Sequence, residues 1–147
     1  MSALRNSGPS AGTLTWPQVA ALAIGAVYTL VGIAGFFVTG FDDFAGNAQD
    51  EMLLIFMINP LHNIAHILVG VVGLVLARTL AGARTYGWLL FALYAVLFVY
   101  GLIANGKDWD FLNINGGDNV LHILTALVGL VIALLPVRDA VNGRARA

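Results

Sequence analysis

The chain has no cysteine among its 147 residues, which excludes disulfides, thiolate metal sites and thiol nucleophiles. Any metal would have to be held by histidine, carboxylate or carbonyl groups. Charge is scarce as well: Asp, Glu, Lys and Arg make up 10% of the residues, against about one quarter in soluble domains. The net charge is -1 at pH 7 and there is no basic stripe, so nothing points to nucleic acid as a partner. The sequence carries no nucleophile–base pair, no phosphate-binding loop and no paired catalytic acids, and therefore no legible enzymatic machinery. Histidine occurs three times, as His62, His66 and His122.

What the chain has in excess is apolar surface. It is 59% hydrophobic, with a mean hydropathy of +0.86. A soluble fold of this length could not hide so much, so the lipid bilayer is the expected solvent for much of the chain.

Residues 1–15 are rich in Ser, Gly and Ala, carry only Arg5, and read as a disordered cytoplasmic tail. The apolar run that follows is too long for a signal-peptide core and is expected to be retained. Domain 16–136 reads as four spans, at about 17–38, 60–77, 85–104 and 118–135, each close to the ~20 residues that cross a bilayer core. Residues 137–147 form a basic tail. Met52 to Ile58 is apolar but too short to cross, and Asn59-Pro60 is a good cap and first helical residue. The segment is therefore expected at the outer interface; the competing reading is one long helix from Met52 kinked at Pro60. Arg78 to Arg84 reads as a basic turn.

Orientation follows from the basic residues. Arg5, Arg78, Arg84, Arg138, Arg144 and Arg146 fall on one side of the spans and Lys107 on the other. By the positive-inside rule this is a multi-pass protein of the cytoplasmic membrane with both termini inside.

Shifted by 56 positions, residues 62–77 match 118–133 through Asn63/Asn119, His66/His122, Gly73/Gly129 and several apolar pairs. The first and third spans match at a shift of 66 through Ala26/Ala92, Tyr28/Tyr94 and Gly35/Gly101. The expected fold is thus an all-α four-helix transmembrane bundle built from two parallel two-helix repeats. Helical spacing predicts an inward stripe of His62, His66, Gly70, Gly73 and Ala77 on the second span. On the fourth it predicts Asp118, His122, Ala126, Gly129 and Ala133. Gly70, Gly73 and Gly129 would let helices pack closely.

The stretch 49–73, QDEMLLIFMINPLHNIAHILVGVVG, and the stretch 111–124, FLNINGGDNVLHIL, carry the motifs N-x-L-H-N-x-x-H and D-N-x-x-H. Together they resemble a family of small four-span bacterial membrane proteins, largely actinobacterial, known as a domain of unknown function. The resemblance covers roughly 17–135 and implies four spans and no established activity.

The histidines need an explanation, because a bilayer-embedded ionisable group is costly. The simplest is structural: Asn63, Asn119 and the histidines bond across helices, at about 0.6 kcal/mol per bond, and fix register. This fits a structural or accessory protein, within a larger membrane complex or a homo-oligomer. The sharper reading is a transition-metal site on His62, His66, Asp118 and His122, two i, i+4 pairs that would suit Zn, Cu or Fe. Asn63 and Asn119 would then hydrogen-bond to the ligands. Haem b between His66 and His122 stands behind a bare metal, since nothing specifies a porphyrin. Small-solute or proton transport stands last, because the stripes below the cluster are Gly and Ala. Tyr28 and Tyr94, the mid-span polar candidates, read as packing residues.

Overall fold

The computed structural model describes residues 13–48, 50–138 and 145–146. Among them are four helices: α1 (Trp16–Thr39), α2 (Pro60–Leu76), α3 (Leu80–Ala104) and α4 (Gly116–Leu134). Three of these, α1, α3 and α4, are long and apolar enough to cross a membrane. Helix α2 has 17 residues and extends roughly 25 Å at the usual rise.

Each helix starts where its local chemistry says it can. At α1, Pro17 occupies the first turn, and the Gln18 Oε1 atom accepts from both the N–H and the hydroxyl of Thr15, at 3.1 and 2.9 Å. At α2, the Asn59 Oδ1 atom accepts from the His62 N–H at 2.8 Å, with Pro60 as first helical residue. The long kinked helix from Met52 therefore does not form. That segment is instead an antiparallel hairpin of β1 (Met52–Leu53) and β2 (Phe56–Met57), pairing Met52 with Met57 and Leu53 with Phe56. A second small ladder pairs β3 (Val137–Arg138) with β4 (Ala145–Arg146) after α4. Residues 1–12 of the expected N-terminal tail, and 139–144 and 147 of the basic one, lie outside the described residues.

One expectation is corrected here. Arg84 does not sit in a turn: α3 already begins at Leu80, where the Thr79 hydroxyl accepts from the Gly82 N–H at 3.0 Å. The Arg84 guanidinium reaches the carbonyl oxygens of Ala133 and Leu135, at 3.4 and 3.3 Å. A charged residue marks the membrane interface and need not end a helix, and the last carbonyls of α4 are natural partners for a cation.

Helix α1 packs chiefly on α2, and α3 on α4. Glycines make both contacts possible. A Cβ on Gly25 would stand 2.8 Å from the Gly70 carbonyl oxygen, and one on Gly129 2.6 Å from that of Gly87. Such backbone approach lets dispersion hold helices that lipid does not drive together. The α2 stripe His62, His66, Gly70, Gly73 and Ala77 is buried throughout, as is the α4 stripe Asp118, His122, Ala126, Gly129 and Ala133. The outer faces carry exposed Leu30, Val96 and Leu102, and Phe37 at 90% exposure. An apolar belt of that extent belongs in lipid.

At one end of the bundle the Gln18 Nε2 atom donates to the Ala77 carbonyl at 3.1 Å, joining the start of α1 to the end of α2. There too the Trp16 indole N–H reaches the Pro136 carbonyl at 3.3 Å. The opposite end holds the hairpin, the long loops and the polar side chains.

Candidate functional site

That opposite end is closed by a cap in which side-chain amides replace secondary structure. The Asn59 Nδ2 atom donates to the carbonyls of Gly46 and Phe111, at 2.8 and 2.9 Å. The Asn113 Nδ2 atom donates to Ala48 and Ile58, at 3.0 and 2.9 Å. Asn115 holds the hairpin tip through the Ile55 carbonyl, at 2.9 Å. The Asp110 carboxylate accepts from the N–H groups of Ile114 and Leu112 and from the Tyr100 hydroxyl, at 2.8, 3.3 and 3.1 Å. Asn59, Asn113 and Asp110 are all buried. Loops without a ladder of their own must satisfy their backbone groups somehow, and these three side chains do it. On the rim, Glu51 has its carboxyl raised above the usual range, by burial first and then by the nearby Asp43 and Asp50.

Beneath the cap lie the histidines. His62, His66 and His122 are 4%, 6% and 2% exposed, and the Nδ1 atom of each has no hydrogen-bond partner in the protein. Ring centroids are 4.5 Å apart for His62 and His66 and 6.4 Å apart for His62 and His122. Two tyrosines close the figure: Tyr28 lies 5.2 Å from His66, Tyr94 lies 5.4 Å from His122, and the tyrosines are 5.6 Å apart. The result is a closed circuit of five rings, drawn from all four helices. The Tyr28 hydroxyl is paired with that of Thr125 at 2.7 Å. His62, His66, His122 and Tyr94 border a cavity of about 100 Å³.

Asp118 is not part of this group. Its Oδ2 atom accepts from the backbone N–H groups of Asn115 and Met57, at 3.0 and 3.2 Å, while its own N–H donates to the Asn115 Oδ1 atom at 3.0 Å. This is a reciprocal cap at the start of α4, extended to the hairpin. The carboxylate of the expected four-residue metal set is thus engaged with backbone donors at the start of α4. Among the described residues no group of three or more His, Asp or Glu is arranged to hold a metal.

Asn63 and Asn119 reach across to the neighbouring helix of their own pair. The Asn63 Nδ2 atom donates to the Thr39 hydroxyl at 3.0 Å, and its amide oxygen lies where a Cβ on Gly35 would be. Asn119 likewise occupies the space a Cβ on Gly101 would need. With its amide donor toward an acceptor, it bridges the Phe98 carbonyl and the Leu102 N–H, both at 3.2 Å. Gly70 lies against Thr29 and Gly25 of α1, Gly73 against the Tyr86 ring, and Gly129 against Gly87.

A family model described as a domain of unknown function, DUF4383, matches residues 18–135, most of the chain and all of the site. The chain belongs to this family. None of the curated proteins and none of the solved structures matches it. The DUF4383 domain therefore arrives with no activity attached, and its chemistry must be read from its own side chains. Sequence reasoning missed Tyr28 and Tyr94 as members of the ring cluster, and missed Asn59, Asp110 and Asn113 as organisers of the cap. For the tyrosines a signal existed in the Tyr28/Tyr94 match between the first and third spans. Loop asparagines carried none, since their spacing has no period.

Proposed function

We propose that the chain is a four-span protein of the cytoplasmic membrane, with both termini inside, built from two parallel two-helix repeats. Its role is that of a structural or accessory subunit whose outer polar cluster locks the helices in register. Several contacts support the repeat. Tyr28 with His66 and Tyr94 with His122 are equivalent pairs at 5.2 and 5.4 Å, and Gly35 with Asn63 is the equivalent of Gly101 with Asn119. Support for α2 as a span comes from its contacts with α1 along its whole length, from Gly35 with Asn63 through Gly25 with Gly70 to Gln18 with Ala77. The basic residues support the orientation; of these, Arg5 and Arg144 lie outside the described residues.

The observation that carries the structural role is the commitment of the buried cap side chains. Asn59, Asp110, Asn113 and Asp118 each hold backbone groups from more than one position in the cap or its helix starts. Groups so engaged are fixed in geometry and poorly suited to exchange partners during a reaction. The same commitment favours a capping role for Asp118 over a place in a metal site, and the cavity beside the histidines, about 100 Å³, favours packing over a porphyrin between His66 and His122.

Because the chain lacks cysteine, single substitutions report topology without background. Asn47→Cys should react with an impermeant maleimide added outside intact cells, and Ala81→Cys only after lysis. The reverse pattern would overturn the orientation. For the accessory role, native purification in mild detergent should recover a stoichiometric membrane partner; recovery of the chain alone, as a monomer, would refute it.

A further inference from the structure

The helix pairs α1–α2 and α3–α4 are each closely packed, and the seam between the pairs is loose. Within a pair, backbones meet: a Cβ on Gly25 would stand 2.8 Å from the Gly70 carbonyl oxygen, and one on Gly87 2.7 Å from that of Gly129. Across the seam, side chains leave gaps. A cavity of about 190 Å³ lies between α1 and α4, beside Val27, Val31 and Leu121. Another, of about 310 Å³, lies between α2 and α3, beside Val69, Val72, Leu89 and Leu93.

The hydrogen bonds across this seam are unevenly placed. At the capped end, Asn59 donates to Phe111, Asn113 to Ala48 and Ile58, and Asn115 to Ile55, while the Met57 N–H donates to Asp118. At mid-height the Tyr28 and Thr125 hydroxyls pair at 2.7 Å. At the far end, among the described residues, the only hydrogen bond across the seam is the exposed one from the Trp16 indole to the Pro136 carbonyl, at 3.3 Å. Ala21, Ala77 and Ala83 are fully buried there, in one cluster with Tyr86, and each offers a single methyl group. In lipid such contacts contribute dispersion alone, since no hydrophobic force drives helices together. Tyr86 of α3 supplies the large contact, its ring lying against Gly73 of α2. Its hydroxyl is buried and has no hydrogen-bond partner in the protein. A buried hydroxyl without a partner leaves its desolvation uncompensated, so the closed seam carries a penalty where its ties are fewest. Helix α3 begins at Leu80, which places Tyr86 about 9 Å along the helix from that end, within reach of water once the pairs part.

We propose that the two helix pairs hinge about the cap and part at the Trp16–Pro136 end, giving a second conformation in which the Tyr86 hydroxyl is hydrated. The cap is the fixed end, because its side-chain amides tie loops of both pairs together. The closed form keeps the Tyr86–Gly73 contact and the Trp16 bond and leaves the hydroxyl unsatisfied. The open form gives up those contacts and satisfies the hydroxyl with water. Rigid pairs turning about one tied end are a hinge motion, and two states separated by so few contacts can be biased by a partner that favours one of them. This conformational role goes beyond the scaffold role and depends neither on the orientation nor on the accessory partner proposed above.

The test is pulsed electron spin resonance on the full chain in phosphatidylcholine nanodiscs, spin-labelled at pairs of introduced cysteines, which the chain otherwise lacks. Val75→Cys with Leu134→Cys reads across the seam at the far end, and Phe37→Cys with Ile103→Cys reads across it near the cap. Val19→Cys with Val75→Cys reads within one pair. All five positions are exposed, so the labels leave the packing intact. The distance distribution across the far end should be at least about twofold wider than the other two, as a hinge there requires. Tyr86→Phe removes the unsatisfied hydroxyl and should narrow that distribution toward the closed form. Trp16→Phe removes the one hydrogen bond at that end and should widen it. A narrow Val19–Val75 distance identifies a folded variant; if one of the two fails this check, the other serves. The inference is overturned by equal widths at the three label pairs, or by a folded Tyr86→Phe or Trp16→Phe protein whose far-end distribution stays the same or moves the opposite way.

Discussion

Replacing Asn59 by alanine removes three hydrogen bonds at once, and the cost can be worked from the structure. The Asn59 Oδ1 atom caps α2 at the His62 N–H, and its Nδ2 atom joins Gly46 to Phe111 across the loops of the cap. Loss of a helix cap costs about 1 kcal/mol. Each freed carbonyl costs about another 1 kcal/mol, more where it stays dry. Asn59→Ala should therefore destabilise the folded bundle by ~3 kcal/mol. Reversible unfolding in mixed micelles, followed by circular dichroism, measures this directly. Asn59→Asp provides the control of sign. It keeps the acceptor for His62 but turns an oxygen toward two carbonyls, so its carboxyl should titrate above the ordinary range in the folded state. The folded state then binds the extra proton, and stability should be highest below the unfolded pKa and fall as pH rises through the folded one. A loss below ~1 kcal/mol for Asn59→Ala, no more than a cap alone, would refute the idea that this residue ties the loops. So would an Asn59→Asp protein whose stability rises with pH over that range.

Other substitutions probe the bundle itself. Gly129→Ala drives a methyl into the Gly87 carbonyl and should cost ~2 kcal/mol in the same unfolding assay, whereas Gly116→Ala meets nothing within 4 Å and should be neutral or slightly stabilising. Tyr28→Phe leaves the Thr125 hydroxyl alone and should cost about 1 kcal/mol, with the remaining ring contacts unchanged in an aromatic NMR spectrum. Asp118→Asn leaves a neutral amide oxygen to accept from two backbone N–H groups in place of the carboxylate, and should destabilise by about 1 kcal/mol with no change in bound metal by elemental analysis. A stoichiometric metal that is lost in Asp118→Asn would contradict the assignment of this carboxylate to the helix start.

Membrane class, the start of α2 and the buried stripes are legible in the sequence, because each rests on local chemistry. Low charge and long apolar runs call for lipid, Asn59-Pro60 starts a helix, and i, i+4 spacing puts His62 beside His66 whatever the fold. The three histidines could be grouped for the same reason, once the Asn-x-x-His pattern was seen twice. Asp118 lies on the buried face that spacing predicts, but spacing says nothing about the backbone donors its carboxylate meets there. Arg84 was misassigned because charge marks a depth in the bilayer and leaves the helix boundary open. Only tertiary structure could bring Tyr28 and Tyr94 into contact with the histidines, since those contacts join helices far apart in the chain. The same holds for the cap, where Asn59 and Asn113 answer carbonyls distant in sequence, and for the cavity between α1 and α4, which exists through packing alone. What the sequence alone determined, then, was the solvent, the helices and their inward faces, all consequences of composition and helical period. The partners those faces meet depend on how helix pairs cross, and that is decided by close glycine contacts and loop hydrogen bonds that no local pattern encodes.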